Sequence, residues 1–384
     1  MKILVFSPYY PPHIGGLETH ADEFNKYLSQ KGVDITVFTP QLPTDSLENE
    51  IKHSKVKITR FSAFEIIPGY PLPKFWQIKF WKLFHSLFKE EFDIVISRTR
   101  FFNTSLLALF FAKTKHIKWV HIEHGSDFVK SGGVVASFIA KAYDYTFGKL
   151  VLKLSDKNVA NSIASSEFCK KLSGGRDCEV VYRGVEIEKI KNISPALDIR
   201  NKYGNKIIVT FIGRLIDGKG VADLLEVLGK TDNENIICIL IGDGPQMENL
   251  KGLAKKIKIE DEVIFMGYKK IEEAIGILKI SDIFVNPSYT EGLPSSVVEA
   301  ALCKKAIIAT NVGGTPEIIT GVEDGYLVNP KDIGTLSQHL VNLIKNPEKR
   351  KQFGENAQQK VKIKFSWDKS IEKYLKIFDE QVQK

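Results

Sequence analysis

The chain alternates short apolar runs with longer amphipathic segments, and this order predicts strands separated by helices. Residues 3–6 form the first predicted strand, residues 16–30 a helix, and residues 34–38 the next strand. Gly15 and Gly16 lie at the turn into that helix. A strand, a glycine-containing loop, a helix and a second strand in this order indicate a βαβ unit of a parallel sheet.

The same pattern continues in two series. The first adds predicted strands at residues 56–61, 93–97, 118–122, 158–160 and 179–182 and a helix over about 131–153. After a pause near residues 187–192, the second has strands at 206–212, 236–241, 263–266 and 283–285, with helices from Val221 and Ser295. We therefore expect an α/β protein of two doubly wound Rossmann-like domains, residues 1–190 and 191–365, facing a central cleft. A capped amphipathic helix follows within residues 366–384.

One predicted helix, residues 74–89, is both basic and rich in aromatic residues. Its apolar side chains fill slightly under half of a helical wheel, and lysines take the opposite side. Such a helix can lie in a membrane interface, or it can pack on the sheet before the strand at 93–97. The order of elements favours the packed helix. Both interpretations hold together if one apolar edge stays exposed, which would give a peripheral contact with an anionic membrane.

Length and charge narrow the class of protein. A chain of 384 residues is too long for a single ordinary hydrophobic core, so two domains are expected. A content of 43% apolar and 26% charged residues is typical of a soluble globular protein. Residues 1–190 contain 26 Lys and Arg against 20 Asp and Glu, whereas the remainder contains 28 against 26. A basic first half is compatible with nucleic acid, an anionic membrane surface or an anionic substrate. The longest apolar run, residues 106–112, is far below the roughly 20 residues that span a bilayer.

The cysteines and the start of the chain bear on the compartment. Cys169, Cys178, Cys238 and Cys303 have neither C-x-x-C pairing nor metal-ligand spacing, which predicts reduced thiols and a cytoplasmic protein. Too few apolar residues precede Pro8 for a signal peptide.

The candidate site centres on residues 286–317. Glu291 lies in a loop, and Glu299 follows eight residues later in the predicted helix. The free N–H groups at a helix N-terminus attract an anion, whereas neighbouring carboxylates suit sugar hydroxyls. A phosphate flanked by hydroxyls describes a nucleotide sugar. Taken singly, Glu299 could instead stabilise the helix dipole and Glu291 could be a solvated loop residue.

Two cations lie at the end of another strand. Arg214 follows the strand at 206–212, and Lys219 comes five residues later. Together they can neutralise a diphosphate and the charge that develops as it leaves. Alternatively, Arg214 and Lys219 could be ordinary charged residues on the protein surface. Gly15 and Gly16 serve either the turn alone or a close approach of backbone to a phosphate or sugar.

With these residues in place, GRLIDGKG, IGDGP, EGLPSSVVEA and TNVGGTPEII, together with GGLETH and EHGSDF, resemble the family-4 retaining glycosyltransferases of GT-B fold. The resemblance runs from residue 1 to about 376. It implies transfer of a sugar from a UDP- or GDP-sugar to an acceptor hydroxyl. The basic, aromatic first half of the chain suggests that this transfer serves lipid-linked glycan or cell-envelope polysaccharide assembly, although soluble acceptors also occur on this fold. The second domain would bind the nucleotide and the first the acceptor, with the terminal helix crossing back to the first domain.

The resemblance also implies roles for individual residues. Arg214 and Lys219 would hold the donor diphosphate, Glu291 the sugar hydroxyls and Glu299 the ribose, while His124 would contact the sugar and stabilise the transition state. A satisfied core histidine is the alternative for His124. The further substrate-binding residues implied are Gly15, Gly16, Gly267, Tyr268, Gly292, Leu293 and Pro294, with Gly16 near the phosphates and the backbone of residues 266–268 near the base.

The sequence lacks the signatures of two metal-dependent activities. His121 and Glu123 form half of a zinc deaminase signature, but the required P-C-x-x-C is absent, and there is no D-x-D for a metal-bound diphosphate. We therefore expect no metal, no cofactor and no nucleic-acid partner. A nucleotide-sugar epimerase, a glycoside phosphorylase, or an inactive sugar-binding or membrane-scaffolding subunit remain alternatives. Residues 183–185 and 304–306 depart from the family pattern, which weakens any assignment to a subfamily.

Overall fold

The computed structural model describes residues 1–67, 69–128, 134–231 and 235–383. The chain divides into two compact domains. The first domain is built from Met1–Gly184 and from the segment that begins at Trp367, and the second domain is Val185–Ser366. The division falls six residues before the predicted boundary, and the terminal helix is part of the first domain.

The first domain contains an eight-stranded sheet in the order β10-β9-β8-β7-β1-β2-β4-β3 and a separate antiparallel pair, β5 and β6. All pairings in the large sheet are parallel except that of β3 with β4. The strands are β1 Lys2–Phe6, β2 Asp34–Pro40, β3 Asn49–Lys52, β4 Val56–Phe61, β5 Ala63–Ile67, β6 Tyr70–Pro73, β7 Ile94–Arg98, β8 Lys118–Glu123, β9 Lys157–Ala160 and β10 Cys178–Val180.

Helices cover both faces of this sheet, because its central strands β1 and β7 are buried at almost every position. In β1, Ile3 and Val5 pack against α1 and the terminal helix α15, whereas Leu4 and Phe6 point to the other face, where α2, α3 and α5 lie. The helices of this domain are α1 Gly16–Gln30, α2 Ile78–Leu87, α3 Asn103–Lys115, α4 Val134–Tyr143, α5 Lys149–Leu154, α6 Ile163–Ser173 and α15 Trp367–Val382. A π turn, Asp144–Gly148, joins α4 to α5.

The second domain contains a six-stranded, all-parallel sheet in the order β13-β12-β11-β14-β15-β16. Its strands are β11 Ile207–Ile212, β12 Ile236–Ile241, β13 Val263–Gly267, β14 Ile283–Asn286, β15 Ala306–Thr310 and β16 Tyr326–Val328. Its helices are α7 Ile187–Asn192, α8 Leu197–Tyr203, α9 Val221–Lys230, α10 Met247–Lys256, α11 Ile271–Ile280, α12 Ser295–Leu302, α13 Ile333–Lys345 and α14 Pro347–Lys364.

Each sheet has one point at which the chain order reverses. In the first domain, β1 lies between β2 and β7, and in the second, β11 lies between β12 and β14. Ligands of doubly wound sheets bind outside the carboxyl ends of the strands at this reversal. The loops that follow β1, β7 and β8, and those that follow β11 and β14, are therefore the places to look for a site.

The doubly wound fold predicted from the sequence is confirmed, but five of the described strands, β3, β5, β6, β15 and β16, were not predicted. β3 is half exposed and polar, while β6, of sequence YPLP, holds two prolines, which strands tolerate only at edges. The predicted helix at 74–89 begins at Ile78 and packs on the sheet through Phe80, Phe84 and Leu87. The start of the helix predicted at 131–153 lies outside the described residues. Within the described chain, no helix has both the length and the apolarity needed to cross a bilayer.

Candidate functional site

The loop after β11 is fixed directly against the loop after β14. The backbone N–H of Tyr289 donates to the carbonyl of Gly218 at 2.8 Å, and the Tyr289 hydroxyl donates to Asp223 at 2.9 Å. Gly220 has a φ of +62°, and a Cβ there would lie 2.1 Å from the carbonyl oxygen of Pro287. Only glycine allows the two loops to approach so closely.

This approach brings Lys219 and Glu291 together, 72 residues apart in the chain. The Lys219 Nζ donates to Glu291 Oε1 at 2.6 Å, and Asn286 Nδ2 lies 3.4 Å from the same oxygen. The Glu291 side chain is 9% exposed and that of Lys219 is 25% exposed. A carboxylate this deeply buried needs a cationic partner, and Lys219 supplies it.

Arg214 lies in the same loop, with its side chain exposed and with no ion pair in the described part of the chain. Its backbone position is set by the neighbouring loop after β12, because Leu215 N donates to the carbonyl of Asp243 at 2.8 Å. Gly242, with a φ of +140°, would place a Cβ 1.8 Å from the carbonyl oxygen of Gly213. The IGDGP loop is thus a support for the segment that carries Arg214.

The N-terminus of α12 lies beside the Glu291 loop. Pro294 precedes the helix, and no side chain caps its first N–H groups. The carbonyl of Gly292 accepts from Gly314 N at 2.7 Å, which ties this loop to the one after β15, and Leu293 is buried. Glu299, half-buried, is the fifth residue of the helix. The helix therefore offers backbone N–H groups and a positive dipole end at the reversal point.

Gly267 and Tyr268 lie at the far edge strand of the same sheet. Gly267 ends β13, and its carbonyl accepts from Gly242 N at 2.9 Å, whereas the Tyr268 side chain is half exposed. The residues of the second domain that were predicted for nucleotide and sugar thus lie at or after the carboxyl ends of strands. Among them, Lys219 and Glu291 are bonded to each other.

In the first domain, Glu123 fixes the backbone that carries His124. Glu123 Oε1 accepts from the N–H groups of His124 at 2.9 Å and Gly125 at 2.8 Å, and it pairs with Arg100 at 3.0 Å. The same guanidinium pairs with Asp144 at 3.0 Å. Burial alone would raise the pKa of Glu123, but Arg100, with His121, outweighs it and holds that pKa well below its usual range.

His121 belongs to this supporting network. Trp119 Nε1 donates to Ser97 Oγ at 2.8 Å, so the Ser97 hydroxyl directs its own proton to His121 Nδ1, also at 2.8 Å. His121 Nε2 then faces Glu123 Oε2 at 3.4 Å as a donor. Across the described residues, no group of three or more His, Cys, Asp or Glu side chains is arranged to hold a metal ion.

His124 itself has two buried ring nitrogens without a hydrogen-bond partner in the part of the chain that is described. Burial, and then the charge of Arg98, lower the pKa of His124 to about 3, so the ring is neutral at neutral pH. A neutral imidazole offers one donor and one acceptor. The alternative of a core histidine with satisfied hydrogen bonds is therefore not supported, because none of the described residues bonds to either ring nitrogen.

Sequence reasoning missed two residues beside His124. Arg98 is fully buried, and its Nη1 donates to His20 Nδ1 at 3.1 Å, which places the proton of His20 on Nε2. The His20 ring lies edge-on to His124 with centroids 5.1 Å apart. Burial lowers the pKa of Arg98 to about 10. Arg98 is the last residue of β7, so the rule that marks strand ends as functional could have found it.

The two glycines at the start of α1, Gly15 and Gly16, lie in different environments. A Cβ at Gly15 would lie 2.6 Å from Glu18 Oε2, and Glu18 in turn pairs with His13. A Cβ at Gly16 would meet nothing within 4 Å. Open space therefore lies beside Gly16, while a carboxylate occupies the space beside Gly15.

The glycine at the loop contact gives a stability prediction. Gly220→Ala should lower the free energy of unfolding by at least about 2 kcal/mol, because the new Cβ meets a carbonyl oxygen and φ is positive. Gly218→Ala, two residues away, meets nothing within 4 Å and should cost less than about 1 kcal/mol. Scanning calorimetry of the full chain measures both. Equal stability of the two variants would contradict the described contact.

The buried histidine gives a prediction about pH. His124 is protonated below about pH 6.5 in the unfolded chain but only below about pH 3 in the folded chain. The free energy of unfolding therefore decreases as the pH is lowered, and this group makes it about 2 kcal/mol smaller at pH 5 than at neutral pH. His20, whose pKa burial also lowers, acts in the same direction. His124→Gln should therefore flatten the loss between pH 7 and pH 5, whereas a change of the exposed His85 to Gln should not.

Urea unfolding followed by tryptophan fluorescence checks this, because all four tryptophans belong to the first domain. If the pH dependence of the free energy of unfolding is the same in His124→Gln as in the wild type, the wild-type His124 is protonated equally in the folded and unfolded states.

Two family models match the chain. Residues 195–360 match the model described as "Glycosyl transferases group 1", and residues 14–189 match "Glycosyltransferase Family 4". An uncharacterized glycosyltransferase of Methanocaldococcus jannaschii is 42% identical over 390 residues, which cover 100% of this chain and 99% of that protein. The N-acetyl-alpha-D-glucosaminyl L-malate synthase of Bacillus anthracis is 25% identical over 391 residues, 98% of this chain and 97% of that protein.

Solved structures share the fold. Sucrose-phosphate synthase from Thermosynechococcus elongatus has a TM-score of 0.82 at 18% identity, covering 99% of this chain and 98% of that one. HepE of Anabaena, in complex with UDP-glucose, has a TM-score of 0.79 at 19% identity, covering 99% of this chain and 100% of that one.

Proposed function

Because the chain belongs to the family-4 glycosyltransferases and has their GT-B fold, we propose that it moves a sugar from a UDP- or GDP-sugar to an acceptor hydroxyl with retention of anomeric configuration. Glycosyl transfer itself follows from the family. The donor class, the stereochemistry and the acceptor are the proposal. The relatives reported above do not favour an epimerase or a phosphorylase.

The contact of Lys219 with Glu291 at the β11/β14 reversal carries the proposal. A donor diphosphate placed there meets the ammonium of Lys219, the exposed guanidinium of Arg214 and the N–H groups that begin α12. Charge-assisted hydrogen bonds of this kind hold phosphate oxygens strongly and stabilise the charge of a leaving diphosphate. These cations can do the work of a metal ion, so we propose a metal-independent reaction without a cofactor.

The sugar end of the donor is assigned to carboxylates. We assign Glu291, whose Oε1 accepts from Lys219, to the hydroxyls of the donor sugar. We assign Glu299 to the ribose and the backbone of residues 266–268 to the base. HepE is described in complex with UDP-glucose, and this supports a nucleotide sugar as the donor class.

His124 is the residue of the first domain that we assign to the donor sugar. Its ring is neutral and both nitrogens are unsatisfied, so it can exchange hydrogen bonds with a hydroxyl without adding charge. The departing phosphate oxygen accepts the proton of the acceptor hydroxyl as the new glycosidic bond forms on the same face from which the phosphate leaves. No carboxylate nucleophile is needed for this step. We assign Gly16, which has open space beside it, to the phosphate side of the donor.

The acceptor is proposed to be a lipid-linked glycan or a cell-envelope polysaccharide. The basic first half of the chain and the exposed aromatic edge near α2 support an anionic, lipid-linked molecule over a free sugar.

Removal of Arg214 tests the diphosphate site. Arg214→Ala should weaken binding of the cognate nucleoside diphosphate by about 1.5 to 3 kcal/mol, or about 10- to 150-fold, because one charge-assisted interaction is lost. Calorimetric titration with UDP and GDP measures this. Lys230→Ala, at the opposite end of α9, is the matched control and should bind like the wild type. Wild-type affinity in the Arg214 variant would exclude this residue from the site.

The donor class and stereochemistry have their own test. UDP or GDP should raise the melting temperature of the full chain, since a ligand that binds the folded state stabilises it. With the cognate sugar nucleotide, transfer should continue in the presence of a chelator, and NMR of the product should show the anomeric configuration of the donor. An inverted product, or activity that returns only with added Mg²⁺ or Mn²⁺, would refute the mechanism.

A further inference from the structure

Three helical segments on one face of the first-domain sheet form a continuous outer layer. α2, α3 and α5 pack side by side on Leu4 and Phe6 through Phe84, Phe111 and Val151. α4 continues into α5 through the π turn. The outward surface of these elements and of the two residues before α2, Phe75 and Trp76, is here called the basic apolar layer.

This layer exposes an unusual amount of apolar surface. Among the described side chains, 22 large apolar ones are exposed, and eleven of them lie in the basic apolar layer. Trp76 is 68% exposed and Phe138 is 72% exposed. On the segment that ends with α5, Phe147, Leu150 and Leu154 recur at helical spacing and form one exposed stripe. Contiguous exposed apolar surface of this kind marks a binding surface.

A groove crosses the layer between α2 and α3. It encloses about 480 Å³ and is lined by Trp81, Phe84, His85, Phe88, Phe110 and Thr114. The lining is almost entirely aromatic, with Phe110 more than half exposed on the α3 side. The groove can accept an aliphatic chain or an interfacial lipid tail, since nothing in its lining except His85 and Thr114 calls for a polar partner.

The charge of the layer has one sign. The helices and the π turn contain seven lysines, and their sole carboxylate, Asp144, is buried against Arg100. Two of these lysines meet carboxylates from outside the layer, Lys79 with Glu48 and Lys113 with Asp156 at 3.9 Å. The remaining lysines surround exposed aromatic and aliphatic side chains. This combination is complementary to an anionic lipid surface, which offers negative headgroups above apolar tails.

We propose that the basic apolar layer docks the protein on a bilayer that contains anionic lipid, with Trp76, Trp81 and Phe110 entering the interface and the lysines meeting the headgroups. The surface is larger than the aromatic helix that the sequence indicates, because α3 and the segment of α4 and α5 supply most of it. The proposal does not depend on the donor or on the reaction. A membrane-bound transferase at this surface would meet a lipid-linked acceptor where that acceptor resides.

Vesicle co-sedimentation tests the proposal on the full chain. The protein should sediment at low ionic strength with vesicles of phosphatidylcholine and phosphatidylglycerol, but not with phosphatidylcholine alone, and added salt should release it. Lys82→Glu with Lys153→Glu should weaken the partition at least about twentyfold, since each lysine near an anionic surface contributes about fivefold. Trp76→Ser with Phe110→Ser should also weaken it, which a purely electrostatic contact would not show.

The matched control is Lys373→Glu with Lys376→Glu on α15, which changes the net charge equally but lies on the opposite face of the same sheet. It should retain most of the binding. Failure of the wild type to sediment, or equal loss in the control pair, would overturn the proposal. So would a dimer that light scattering detects and that Trp76→Ser dissolves, because the layer would then bind a second copy of the chain. Nucleotide binding, measured on the same samples, separates this failure from a failure of the proposed function.

Discussion

The close contact between the loops after β11 and β14 is the constraint on which the candidate site depends. Gly220 lies against the carbonyl of Pro287, and the Lys219 ammonium closes on Glu291. Because the chain order of the sheet reverses at β11, the carboxyl ends of β11 and β14 are where a doubly wound sheet is expected to bind a ligand. The ion pair fixes the Glu291 carboxylate beside the Lys219 ammonium, so the proposed donor would find these two groups already in place.

A different device organises the first domain. There, the Glu123 carboxylate accepts hydrogen bonds from the backbone N–H groups of His124 and Gly125 and pairs with the guanidinium of Arg100. These contacts fix the strand end that bears His124. The ring that results is neutral and unsatisfied. A buried Arg98 beside it, bonded to His20 and to no described carboxylate, opposes protonation of both histidines. The two domains thus differ in their electrostatics, with cations at the proposed diphosphate site and, at His124, a neutral imidazole that we propose for the sugar.

Much of the fold could be predicted from the sequence, because buried parallel strands are short continuous apolar runs and the helices between them are amphipathic. β1, β12 and α12 show this well. β3 and β6 could not be predicted, because an edge strand needs neither apolar residues nor the absence of proline. Of the site, Lys219 and Glu291 were predicted as candidates from chain position, but their direct contact was not, since it depends on loop packing at Gly220. Arg98 ends β7 and could have been found from its position in the chain. The surface shared by α2, α3 and α5 could not, because it depends on tertiary neighbours that no local pattern shows.

The proposed function requires that a nucleoside diphosphate binds at the loops that follow β11 and β14. Hydrogen–deuterium exchange of the full chain, with and without saturating UDP or GDP, tests it most directly. The account predicts slower exchange in residues 213–220 and 287–296 on binding, and no change at the opposite end of the sheet in residues 256–262. Binding that leaves both loops unprotected while it slows exchange elsewhere would contradict the account.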